Sequence, residues 1–193
     1  MIVRKAAFTI LELLVVITII IVLAGLILST VGYVQKKGAR SRAEAEMAAM
    51  SAALESYKAD NGIYPRDTTN SYTDNLDARH DGSAGNAYQK AAQFVYGELS
   101  ADKDYNGKVD ATEAQNKSYF AFKPQMLDGT KDPNGNLTSV AFIRDPFGNS
   151  YGYSTAYQLA STKGYNPTFD LWSTGGTVTG SDPPDQSQWI KNW

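Results

Sequence analysis

Cysteine is absent from the sequence and histidine occurs once, at His80. Without thiols no disulfide can staple loops and no thiolate can hold a metal or attack a carbonyl, so packing, a hard metal ion or oligomerisation must do the stabilising. With one imidazole, set in a polar stretch, a histidine-based metal site or triad has little to build on. A large net charge of either sign is also lacking: the formal net charge is −2 and the sequence pI about 5.4. That removes the electrostatic basis for nucleic-acid binding, and no nucleic-acid partner is expected. No nucleophile-and-base pair, phosphate-cradling loop or pair of catalytic carboxylates is recognisable, so an enzyme is not expected.

What is present is a long apolar run. Residues Phe8 to Val31, FTILELLVVITIIIVLAGLILSTV, are enough at roughly 1.5 Å per helical residue to cross a hydrocarbon core of about 30 Å. One carboxylate, Glu12, interrupts it, and a charge at a helix centre in a bilayer costs at least ~2.5–3.5 kcal/mol, less near an end. The basic residues that precede it are Arg4 and Lys5, in the leader MIVRKAA, and the next cation is Lys36. Cutting between Ala7 and Phe8 removes both and creates a free α-amine on Phe8, cationic near neutral pH. That amine can pair with Glu12 of its own helix or, between staggered helices, make Glu12 a register key; ion pairs of this kind align better than they stabilise. A secretory signal peptide, with an apolar core of about 7–15 residues before its cleavage site, fits less well. An uncleaved signal anchor is the plain alternative.

A short basic leader ending in a small residue, then FTILELLVVI with Glu four places after the new terminus, resembles the prepilin-type cleavage and methylation segment of type IV pilins and type II secretion pseudopilins. The usual Gly before the cut is here Ala7. LESYKADNGIYP, Leu54 to Pro65, and DPFGNSYGY, Asp145 to Tyr153, are similar to the end of the long helix and to a sheet segment of the major pseudopilin. The resemblance implies an α+β, pilin-like fold in which a long N-terminal helix, half membrane-spanning and half amphipathic, packs on a small antiparallel β-sheet. It divides the chain into a leader (1–7), a transmembrane and filament-core helix (8–31) and a periplasmic or extracellular globular domain (32–193). It also implies cleavage after Ala7, N-methylation of Phe8 and assembly through Glu12 into a helical filament of identical subunits. The partners implied are a prepilin peptidase/methyltransferase, an inner-membrane assembly platform with its cytoplasmic ATPase, and minor pseudopilins. Loop charges do not set the orientation, since Lys36, Lys37, Arg40 and Arg42 follow the span. From the resemblance the chain is a single-pass protein of a bacterial inner membrane with its N-terminus cytoplasmic, later a periplasmic pseudopilus or a cell-surface filament. Relatives carry a helix-weakening Gly and Pro where this chain has Ile21 and Ser29, leaving Gly25 and Gly32 as soft points.

Beyond the run, Ala39, Ala43, Met47, Met50, Leu54 and Tyr57 recur at three- and four-residue steps, which predicts continuation of one helix with an apolar face. Lys36, Lys37, Arg40, Arg42, Glu44, Glu46, Glu55 and Lys58 fall on its polar face, toward solvent or neighbouring subunits. Asn61-Gly62 and Pro65 predict its end. Arg66 to Gly85, rich in Asp, Asn, Ser and Thr, reads as a surface loop. Ala87 to Leu99 has helical spacing. SVAFI, NSYGYST and TFDLWST read as about three strands of an antiparallel sheet. Asp128-Gly129 and Asn134-Gly135 read as turns, and Trp189, Ile190 and Trp193 as a tail that packs back.

One constellation carries chemistry. Residues 102–113, DKDYNGKVDATE, match the twelve-residue EF-hand-like calcium loop: oxygen side chains of Asp102, Asp104, Asn106, Asp110 and Glu113 at places one, three, five, nine and twelve, Gly107 at six, and the Lys108 carbonyl at seven. Ca2+ takes six to eight oxygens at about 2.3–2.6 Å, and a chain wound round one ion turns alternate residues inward. The mundane reading is a solvated acidic turn. A single loop suits a structural ion rather than a sensor, with Kd around 10⁻⁴–10⁻³ M. Major pseudopilins bind calcium in the C-terminal loop; there this chain has Thr177 at the usual Asp position, with Asp182 and Asp185 as possible ligands of a second site. Three functions are therefore carried forward: a type II secretion pseudopilin, a major or minor type IV pilin, and a membrane-anchored calcium-binding module that does not polymerise.

Overall fold

The computed structural model describes residues 9–81, 86–177 and 182–193. The chain divides into two units, 1–39 and 40–193. Helix α1 (Ile10–Asn61) is a single element of 52 residues with parts in both. It has no proline, so no backbone donor is lost along its length. As predicted, it runs past Gly25 and Gly32 without a break.

In the first unit no described side chain of α1 is buried. Ile10, Ile21 and Leu28 are 87, 65 and 75% exposed, and the other large apolar side chains resolved from Leu11 to Val34 stand open as well. The helix is long and apolar enough to cross a membrane, and no part of its most hydropathic stretch is covered by the chain's own residues.

In the second unit the same helix buries Ala43, Met47, Met50, Ala53 and Leu54. Each large side chain withdrawn from water this way contributes roughly 1.5–3 kcal/mol. The helix stops where predicted: Gly62 takes a left-handed φ of +79° and its N–H donates to the Lys58 carbonyl at 2.7 Å.

Helix α3 (Asn86–Ser100) packs on the strands and brings Val95, Tyr96 and Leu99 to the same core. Before it lies a one-turn helix α2 (Tyr72–Asn75). A 3-10 turn (Pro124–Met126) leads into β1 (Leu127–Lys131), which pairs antiparallel with β2 (Leu137–Ile143). β3 (Gly152–Ser154), β4 (Asp170–Ser173) and β5 (Ile190–Lys191) form a separate antiparallel sheet, with α4 (Ala156–Leu159) between β3 and β4. Gly152 faces Trp172 so closely that a Cβ would fall 2.2 Å from the indole ring.

The DPFGNSYGY segment is the turn that joins the sheets. Asp145 Oδ1 accepts the Phe147 and Asn149 N–H groups at 3.0 and 2.8 Å, and Oδ2 accepts the Ser173 hydroxyl at 2.6 Å. Burial pushes the Asp145 carboxyl above its ordinary range, against the pull of these bonds.

Four sequence expectations change. Arg66 to Asp81 is not a surface loop: Asp67, Thr73, Asp74, Leu76, Asp77 and Ala78 are buried. Short polar groups satisfy one another there, as when Arg66 Nε meets both Asp74 oxygens at 2.9 and 2.7 Å and Asp67 Oδ1 caps Thr69 and Asn70. Asp128-Gly129 lies in β1 rather than in a turn, whereas Asn134-Gly135 does turn the chain. The strands form two sheets, with β1 and β5 added to the three expected. On the polar face of α1, Arg40 donates to the Gln188 carbonyl at 3.1 Å and Glu46 accepts the Tyr151 hydroxyl at 2.8 Å, so these two face the fold as well as solvent. Trp189 and Ile190 are buried, as the tail reading anticipated.

Candidate functional site

Of the N-terminal group, Ala7 and Phe8 lie outside the described residues. Glu12 is exposed and has a local partner that the sequence reading missed. Thr9 N–H and Thr9 hydroxyl donate to Glu12 Oε2 at 2.9 and 2.8 Å, and Glu12 N–H donates back to Thr9 Oγ1 at 3.2 Å. This is a reciprocal cap on the first turn of α1, satisfying two orphan N–H groups at once. The signal was legible: Thr9-Ile10-Leu11-Glu12 has the Thr-x-x-Glu spacing ahead of an apolar run. A carboxylate in this place therefore has a polar partner even without a free α-amine.

The second group is built on the end of α3. That helix finishes at Ser100, Ala101 takes a left-handed φ of +74°, and the loop begins at Asp102 with its side chain fully buried. Asp102 Oδ2 accepts the Tyr96 hydroxyl at 2.6 Å and the Gly107 N–H at 2.7 Å, and Oδ1 the Asn106 N–H at 3.2 Å. Asp104 Oδ1 accepts the Asn106 N–H at 3.0 Å, and Asn106 Oδ1 the Lys108 N–H at 2.9 Å. Asp104 and Asn106 thus each cap the backbone two residues on and Asp102 four and five on, winding 102–108 into a tight coil. The coil needs left-handed backbone at Tyr105, φ +60°, and at Gly107, φ +86°. Of the three non-glycine left-handed residues described, two, Ala101 and Tyr105, are here; strain of this kind concentrates at functional loops.

The end of the loop returns to its start. Glu113, also buried, accepts the Lys103 and Asp104 N–H groups on Oε1 at 2.5 and 3.1 Å. Carboxylate oxygens of Asp102, Asp104 and Glu113 all lie within 4.8 Å of one another. Oxygens on opposite sides of a calcium ion stand about 4.6–5.2 Å apart, so the set spans a sphere of the right size. All three donors are hard oxygens, and no lysine or arginine forms an ion pair with any of them among the described residues. Asp104 is exposed; the two buried carboxylates, Asp102 and Glu113, share one sign and call for a counter-charge. Burial holds the Asp102 carboxyl above its ordinary range, partly offset by the Tyr96 hydroxyl and the Gly107 N–H. The donor set fits a hard divalent cation.

Of the remaining expected ligands, Asn106 lies against the group, its Nδ2 donating to Asp104 Oδ2 at 2.8 Å, while Asp110 and Lys108 face outward. Asp110 is exposed and turns Oδ1 to the Thr112 N–H and hydroxyl at 2.8 and 2.6 Å, bonds that draw its carboxyl below the ordinary range. Lys108 is exposed. No exit helix follows; Ala111 to Gln115 form a turn. Tyr96, and Val140, whose N–H donates to the Tyr105 carbonyl at 2.7 Å, brace the loop. Both come from outside the motif, and nothing in its spelling points to them.

At the suggested second site, Asp182 faces His80 Nδ1 at 2.9 Å and Asp185 Oδ1 accepts the Ser187 N–H at 2.9 Å. Among the described residues, 102, 104 and 113 form the one acidic group able to share an ion.

The class these features define is an α+β chain led by a helix of membrane-spanning length and carrying a wound acidic loop. Searches against protein-family models, curated proteins and solved structures gave no match.

Proposed function

We propose that the chain is a subunit of a pilin-like filament, of the type II secretion pseudopilin kind, made as a membrane precursor, cut after Ala7, methylated on Phe8 and polymerised through α1. The observation that carries this reading is the division of labour within α1. Its first part exposes large apolar side chains from Ile10 to Val34 that call for cover by lipid or by copies of itself, while its second part supplies the spine of a folded unit. Head-to-tail contacts between identical subunits that do not close give an open filament. In this scheme Glu12 exchanges its Thr9 cap for the Phe8 amine of a neighbouring copy. A major or minor type IV pilin shares every one of these features; the absence of cysteine and the DPFGNSYGY turn favour the pseudopilin.

The loop 102–113 is proposed to hold a structural Ca2+, with Asp102, Asp104 and Glu113 as its carboxylate ligands and Asn106, the Lys108 carbonyl and Asp110 completing the shell. The ion would neutralise buried charge and take no part in chemistry. The same loop supports the second reading, a membrane-anchored calcium-binding module that never polymerises. Mass spectrometry of the purified protein separates the two: residues 1–7 absent and Phe8 methylated, with filaments visible by electron microscopy, is the expected result. A chain that keeps its leader and stays monomeric leaves the anchored module.

A further inference from the structure

Helix α3 forms one wall of a cleft of about 250 Å³ into which three aromatic residues, Tyr72, Phe94 and Tyr105, are gathered with a few polar side chains. Two of the rings are carried on unfavourable backbone. Tyr105 takes a left-handed φ of +60°, and Tyr72 directly follows Ser71, at φ +57°. Helix α3 also gives way to the first of them: a Cβ on Gly97 would fall 2.7 Å from Tyr105 Cε1, so a glycine inside the helix, where alanine is the better helix former, makes room for the ring. The Val140 N–H then fixes the Tyr105 carbonyl at 2.7 Å. Left-handed backbone, an interior helical glycine and a backbone brace all serve to set one ring at one cleft.

The polar part of the lining carries one charge of each sign. Asp67 is buried; its Oδ1 accepts the Thr69 and Asn70 N–H groups at 3.1 and 2.9 Å, while Oδ2 meets the Tyr72 N–H at 3.4 Å, a loose bond that leaves this oxygen able to take a further donor. Lys90 donates to Gln93 Oε1 at 2.8 Å, and Gln93 is itself tied to the Val140 carbonyl through Nε2 at 2.5 Å, so the ammonium is held at the cleft with donors to spare. Asn70 adds an exposed amide. Burial, with the Glu98, Asp67 and Asp102 carboxylates acting in the same direction, holds the Tyr105 phenol above its ordinary range and keeps it a neutral hydroxyl.

We propose that the cleft between Tyr72, Phe94 and Tyr105 binds one ring of a neutral sugar, its apolar face against the aromatic rings and its hydroxyls bonded to Asp67, Lys90 and Asn70. The lining selects this chemistry by elimination. A carboxylate beside an ammonium repels an anion with the one and a cation with the other, so a guest of either sign gains little. Aromatic carbon surface next to spare donors and acceptors suits a molecule that has an apolar face and hydroxyls round its edge. The volume lies below the roughly 300–1,000 Å³ of sites for drug-sized ligands, which limits the guest to about one ring. Sugar binding here needs neither polymerisation nor the cation of the acidic loop.

The test uses the full chain, labelled for amide NMR, in micelles of tetraethylene glycol monooctyl ether, whose headgroup is neither a sugar nor an ion. The methyl glycosides of glucose, galactose, mannose and N-acetylglucosamine are titrated in turn, with acetate and tetramethylammonium as the charged alternatives. The expected result is a saturable, millimolar shift of the Asn70, Tyr72, Phe94 and Tyr105 amide signals with at least one glycoside and none with either ion. Tyr105→Ala, which removes a ring and its hydroxyl, should weaken that binding about tenfold. Asn70→Ala changes an exposed side chain, leaves the melting temperature in place and should weaken it several-fold, so it decides the matter should Tyr105→Ala fail to fold. The proposal is overturned if no glycoside gives a saturable shift, if the shifts fall elsewhere, if Asn70→Ala binds as the wild type does, or if an ion occupies the cleft instead.

Discussion

The two parts of α1 share a backbone conformation and differ in everything that surrounds it. From Ile10 to Val34 the large apolar side chains described are exposed; from Ala43 to Leu54 they sit in a core with Val95, Leu99, Val140 and Ile143. Helicity alone therefore says nothing about stability. The first part is long and apolar enough to cross a membrane, and in the second the chain supplies its own cover.

The largest effect that would sharpen this contrast is Leu54→Ala, which empties a fully buried position and should cost roughly 2–5 kcal/mol in thermal unfolding of the globular unit. The matching change Ile20→Ala should leave that melting transition in place. Equal losses from the two would break the distinction. Next comes Glu12→Val, expected to preserve membrane insertion and abolish or misregister filaments seen by electron microscopy. Thr9→Val, which removes the hydroxyl from the cap, should cost about 1 kcal/mol of local helix stability and show as faster amide exchange in the first turn.

Within the folded unit, chelation should lower the melting temperature of the wild type and leave Asp102→Ala/Glu113→Ala unmoved; identical melting of the wild type in calcium and chelator would reduce the loop to a turn. Gly107→Ala forces a side chain into left-handed backbone and should cost about 1 kcal/mol on the same melt. The smallest effect concerns His80. Its hydrogen bond to Asp182 raises the imidazole pKa above 6.5, with the Asp182, Asp77 and Asp81 charges acting in the same direction. A raised folded-state pKa means the pair's contribution is fully present below the unfolded value and fades as pH rises through the folded one. An NMR titration should find His80 above its usual value, and Asp182→Asn should bring it down.

The long helix and its end were legible because its signals are local: no proline, a three- and four-residue apolar step, then Asn-Gly and Pro. The acidic loop was legible for the same reason, its ligands lying within twelve consecutive residues. Arg66 to Asp81 was misread because its burial rests on polar groups that find partners far along the chain, Asp77 Oδ1 accepting the Gly164 N–H at 2.9 Å and Thr155 donating to Asp74 at 2.8 Å. Composition says "loop" there, and only the fold supplies the partners. β5 was missed because two residues carry no period; it exists through pairing with Trp172 and Ser173. The Thr9–Glu12 cap is equally local, its Thr-x-x-Glu spacing lying within four consecutive residues.

All three tryptophans of the chain belong to one aromatic group, with Trp172 stacked on Trp189 at 5.9 Å and edge-on to Trp193 at 5.8 Å. Their ultraviolet emission consequently reports a single neighbourhood, where β4 and β5 meet. A fluorescence melt watches that corner come apart and has no indole placed to see the apolar half of α1 change its surroundings, so following assembly optically calls for a new indole among residues 10–34.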